Sequence, residues 1–148
     1  MNQNAIERIT SRFRQIPKVE AVLCRIGREF QEEEYSLDLL EKKFETFLKA
    51  GISEREALRL LTKAAVELTT QEAPKWEMIA ARLRFLDFEN EMEETLKEYG
   101  IHSFYEKVVF LTKEKLYGEY ILEAYTREEV EAFAQFLNCL LYTSPSPR

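Results

Sequence analysis

The sequence predicts an all-α fold, an orthogonal helical bundle of about seven helices. Apolar residues recur at steps of three and four along nearly the whole chain, the period of a helix face. Ser/Thr-x-x-Glu boxes, which mark helix starts, stand at 53–56, 103–106 and 126–129. Glycine and proline number four each in 148 residues, and no apolar/polar alternation is long enough for a strand.

Ile6, Ile9 and Phe13 share one face, so a first helix is expected over 4–14, ending before Pro17. Val19, Val22, Leu23, Ile26 and Phe30 form the stripe of a second, over 18–31. Ser36 caps a third, with Leu37, Leu40, Phe44, Phe47 and Leu48 inward and Gly51 closing it in the left-handed position after the last turn. The fourth opens on "SERE": the Ser53 hydroxyl accepts from the Glu56 amide while the Glu56 carboxylate reaches back, and Ala57, Leu58, Leu61, Ala64, Ala65 and Leu68 face inward.

Pro74 fits the first turn of a fifth helix, where its missing N–H costs nothing. That helix is expected to run to Tyr99 and stop at Gly100, about 25 residues or roughly 37 Å. It carries two apolar lanes, Trp76/Ile79/Ala80/Leu83 and Met78/Ala81/Phe85/Phe88/Met92/Leu96, a width that implies packing on more than one side. Trp76, in the first turn, is expected to fill core or plug the hinge against helix four. The boxes at Ser103 and Thr126 open two shorter helices, with a turn near Thr112 and a helical or irregular piece over 117–125 between them. From 138 onward "NCLLYTSPSPR" loses the period and its charge, and Pro145 and Pro147 forbid helix. This tail, 138–148, is expected to be unstructured and of non-native origin, an adapter or vector remnant.

Apolar residues at 45% and charged residues at 32% exclude disorder as the default and fit a soluble helical protein. The net charge of −6, with no basic cluster, argues against nucleic acid and against an anionic membrane surface. No apolar run approaches the ~18 residues of a membrane span. The start "MNQNAIERIT" lacks the apolar stretch of a signal peptide, so a cytoplasmic protein is expected. Cys24 and Cys139 stand too far apart in sequence for a CxxC site.

Chemistry-bearing patterns are sparse. No GxxxxGK[ST] or GxGxxG loop occurs, and "CRIGREF", with Arg25 and Arg28 about Gly27, reads as a solvated helix face. The single histidine, His102, lies between Gly100 and the cap Ser103, which suits a helix-end neighbour better than a catalytic base. Glu89, Glu93 and Glu94 in "FENEMEE" fall on the outer side of helix five, and one histidine leaves no Glu-x-x-His metal set. Composition and spacing therefore give no catalytic residue and no metal site.

Four pieces in register carry more. "GIS" at 51–53, "KAAVELTTQEAP" at 63–74, the aromatic Trp76 and "AARL" at 80–83 resemble, without a gap, the N-terminal region of the large (alpha) subunit of class I ribonucleoside-diphosphate reductase. "RITSRF" at 8–13 is similar to the first helix of that family's ATP-cone, the module that binds ATP or dATP as an activity switch. "FYEKVVFL" at 104–111 and "ILEAYTREEVEAF" at 121–133 are similar to the helices leading into the reductase barrel.

The resemblance implies an ATP-cone-like helical unit at 1–90, lacking its N-terminal hairpin, and leading helices of the catalytic domain at 91–137. It implies an N-terminal fragment of an oxidoreductase that makes deoxyribonucleotides for DNA synthesis, inactive alone because the redox cysteines belong to the barrel. Its partners would be a radical-bearing small (beta) subunit and further alpha subunits. Arg8 stands where the family has a nucleotide-approaching lysine, so Arg8 is the one candidate nucleotide contact; a second family lysine is replaced by Asn90. No cofactor is expected in this segment, with ATP or dATP the effector of the full-length family. The competing reading is a stand-alone helical binding or regulatory module, using Phe110, Leu116, Tyr117 and Tyr120.

Overall fold

The computed structural model describes residues 2–16 and 18–137, and the expected tail at 138–148, with Cys139, lies outside them. Among the described residues the chain is helical throughout: α1 (Asn2–Thr10), α2 (Lys18–Glu29), a 3-10 turn (Glu33–Tyr35), α3 (Leu37–Glu45), α4 (Glu54–Glu67), α5 (Trp76–Glu98), α6 (Phe104–Lys113), α7 (Tyr120–Ala124) and α8 (Arg127–Ala134). The all-α class is as expected. The count exceeds seven because 117–125, left open by the sequence, contains the five-residue α7.

Two compact units divide between Glu93 and Glu94, inside α5. In the first, α1 packs on α2 and α3, and α3 packs on α4. Their apolar stripes meet in one cluster in which Ile9, Leu23, Ile26, Leu40, Phe44, Leu61 and Leu83 are fully buried. Burying each such side chain contributes about 1.5–3 kcal/mol. In the second unit α6 packs on α8, and only Ile101, Val108, Thr112 and Val130 are buried among its described residues.

The predicted caps form as drawn. Ser53/Glu56, Ser103/Glu106 and Thr126/Glu129 each exchange both capping-box hydrogen bonds, and the Ser36 hydroxyl accepts from the Asp38 amide. At the end of α5, Gly100 takes φ +71°, the Ile101 N–H donates to the Leu96 carbonyl, and the Gly100 N–H to that of Lys97. These two bonds satisfy carbonyls that the helix end leaves open, and the left-handed turn suits glycine.

Three local expectations are corrected. Helix three ends at Glu45, not beside Gly51: the amides of Thr46, Phe47 and Leu48 reach back only three residues, and Gly51 follows in a separate turn with φ +82°. The first helix likewise ends at Thr10, beyond which Arg12 and Phe13 make the same tightened bonds. And α5 buries the lane of Trp76, Ile79, Ala80, Leu83 and Leu86, together with Asp87, while Met78 and Phe88 of the second lane stay about half exposed. No helix among the described residues is long and apolar enough to cross a membrane.

Candidate functional site

Arg8 projects from α1 onto the acidic start of α3. Its Nε donates to Glu41 Oε1 at 2.9 Å and its Nη2 to Glu41 Oε2 at 3.2 Å, a two-pronged clamp, with Asp38 Oδ1 at 3.4 Å from the same nitrogen. The Glu41 hydrogen bond pushes the guanidinium pKa further up. Arg12 repeats the motif one turn on, 3.5 Å from Glu45. The geometry follows from spacing: 8 and 12 lie four residues apart, Arg12 in the tightened turn just beyond α1, and 41 and 45 lie one turn apart on α3. The two arginines therefore tie α1 and the turn that follows it to α3.

A larger charged cluster, which the sequence reading passed over, joins α4 to α5. Asp87 is 1% exposed although it bears a carboxylate, because it sits in the buried lane of α5 one position after Leu86. Its Oδ2 accepts from Arg84 Nη1 at 2.5 Å and from Arg59 Nε at 3.4 Å, and Arg55 Nε lies 3.9 Å from Oδ1. One turn further, Glu91 Oε1 takes Arg55 Nη2 at 2.7 Å and Arg59 Nη2 at 3.0 Å. Arg55 holds the Glu91 carboxyl below the usual carboxylate range, first by hydrogen bonding and then by charge.

Such a cluster can fix the register of two helices. One sequence signal was available: Arg55 and Arg59 share a face of α4, and Arg84, Asp87 and Glu91 share a face of α5. What the chain order does not show is that those two faces meet.

The remaining candidates stand apart. His102 is exposed, and its backbone N–H donates to Glu106 Oε2 at 2.7 Å, completing the α6 cap. Arg25 and Arg28 lie exposed on α2, and Glu93 pairs with Lys18 at 2.5 Å. No group of three or more His, Cys, Asp or Glu that could hold a metal occurs among the described residues. In the second unit, Phe104, Tyr117, Tyr120, Ile121, Val130 and Phe133 line an open apolar groove of about 610 Å³.

No family model matches the chain, and no solved structure matches it. A curated protein does: the ribonucleoside-diphosphate reductase subunit alpha of Treponema pallidum (strain Nichols), 50% identical over 121 residues, which is 82% of this chain. This chain is a homologue of the N-terminal part of a ribonucleoside-diphosphate reductase alpha subunit. It spans 14% of that relative's length. Within this chain Arg8, Arg55, Arg59 and Arg84 all face carboxylates of the same chain.

Proposed function

We propose that this chain serves as the N-terminal segment of a ribonucleoside-diphosphate reductase alpha subunit, a structural and regulatory part of an enzyme that reduces ribonucleotides to deoxyribonucleotides. The whole enzyme would work in the cytoplasm with a radical-bearing beta subunit and further alpha subunits. Residues 1–90 would form the ATP-cone-like unit and 91–137 the helices leading to the catalytic domain. Chemistry belongs to the rest of the subunit, and the segment alone turns nothing over. The 50% identity over 121 residues carries this reading. The internal neutralisation of its arginines supports a role through helix packing rather than through a reacting group.

Segment exchange tests it. The matching 121-residue stretch of the Treponema alpha subunit is replaced by the one from this chain, and nucleoside diphosphate reduction is assayed with the cognate beta subunit. Turnover close to that of the parent is expected. A folded chimera that binds its beta subunit yet reduces nothing would contradict the assignment.

A further inference from the structure

The grip on α5 changes character at Asp87. Up to that residue the helix is held by its buried lane, from Trp76 to Leu86; beyond it no residue of α5 is buried. The chain nevertheless belongs to the first unit as far as Glu93. Two ionic ties reach this stretch from different helices. Glu91 Oε1 takes Arg55 Nη2 at 2.7 Å and Arg59 Nη2 at 3.0 Å, both from α4. Glu93 Oε1 takes Lys18 Nζ at 2.5 Å, from α2.

Lys18 and Arg55 each stand in the first turn of their helix, where the partial positive charge of the helix start adds to their own. Two helix starts of like sign are thus answered by one short acidic stretch. Glu91 and Glu93 meet them on opposite sides of α5, because two residues are about 200° apart around a helix.

The two kinds of grip respond differently to salt. The side chains of Lys18, Glu93, Arg55 and Glu91 are between 31% and 47% exposed, so dissolved ions reach both ties, whereas Asp87 at 1% is shielded. Between about 0.1 and about 1 M salt the screening length falls from about 10 Å to about 3 Å, the length of the contacts themselves. The apolar lane carries no charge to screen. A helical stretch of six residues does not keep its hydrogen bonds in water once its neighbours let go.

We propose that residues 88–93 of α5 form a charge-operated clasp: rising ionic strength releases this stretch from α2 and α4 while the helix before Asp87 stays docked. The clasp rests on contacts within this chain and not on the reductase assignment.

Amide hydrogen exchange of the full chain, read residue by residue in NMR spectra at about 0.1 and about 1 M sodium chloride, tests it. Exchange at 88–93 is expected to quicken about fivefold at the higher salt relative to 79–86, whose own rates serve as the reference. At the lower salt, Lys18→Gln should quicken 88–93 about threefold and shrink the response to salt. Exchanging the charges, Lys18→Glu with Glu93→Lys, should restore the protection. Circular dichroism checks that the variants remain helical. Equal acceleration of both stretches, no acceleration at 88–93, a Lys18→Gln variant that exchanges like the parent, or a charge exchange that restores nothing would each overturn the proposal.

Discussion

The indole Nε1–H of Trp76 donates to the backbone carbonyl of Glu34 at 2.9 Å. The ring is also 6.0 Å from that of Tyr35, which in turn lies 6.0 Å from Phe30. Trp76 therefore fastens the start of α5 to the short turn between α2 and α3. Its expected role as core filler holds, and its hydrogen-bond partner is the acidic turn.

Replacing Trp76 separates packing from hydrogen bonding. Trp76→Phe leaves the Glu34 carbonyl without its donor and should cost about 1–3 kcal/mol. Trp76→Ala should cost about 3–5 kcal/mol through the cavity as well. Urea denaturation followed by circular dichroism reads both, and a Trp76→Phe variant as stable as the parent would mean that the indole N–H contributes nothing.

Asp87 holds the α4–α5 charge cluster from inside. Asp87→Ala leaves Arg59 and Arg84 without their shared buried acceptor, and a loss of about 2–4 kcal/mol is expected. That is below the usual figure for breaking a buried pair, because the arginines are half exposed. A change under about 0.5 kcal/mol in the same denaturation assay would place Asp87 among ordinary surface residues.

Acid should destabilise the fold with a definite sign. Glu56, Glu91 and Glu131 have folded-state pKa values lowered by, respectively, the Ser53 backbone amide, Arg55 and the Tyr105 backbone amide. A depressed carboxylate pKa gives stability that is present above the unfolded value, about 4.3 for Glu, and lost as pH falls through the folded value. Thermal unfolding should therefore be flat from pH 7 to about 5 and decline below about 4.3. A midpoint that rises on acidification would contradict these assignments.

Lys115 ends α6 with φ +59°, and beside it the Leu116 N–H donates to the Leu111 carbonyl. The arrangement matches that at Gly100, but with a side chain in the left-handed region. Lys115→Gly should stabilise this helix end by roughly 0.5–1 kcal/mol. Slower amide exchange at Leu116 and Tyr117 would register the gain, and unchanged or faster exchange would refute it.

Local signals in the sequence translated well into structure. Each Ser/Thr-x-x-Glu box became a cap because both partners lie within one turn. The inward residues of α2 and α4 were legible from their period alone. Tyr35 was not: it follows three glutamates, a run that resembles solvent-facing chain, yet it is buried between Phe30 and Trp76. Nor was the Asp87 cluster, whose hydrogen bonds to Arg59 span 28 residues and depend on how α4 meets α5. The second lane of α5 misled for a related reason, since periodicity shows that a face is apolar but not whether its own fold covers it.

The central claim is that this segment acts through helix packing and holds no nucleotide with Arg8. Isothermal titration of dATP into the full chain measures it most directly. With Arg8 committed to Glu41 and Asp38, no saturable heat is predicted. Saturable binding that disappears in Arg8→Ala would contradict the account and make Arg8 a ligand contact.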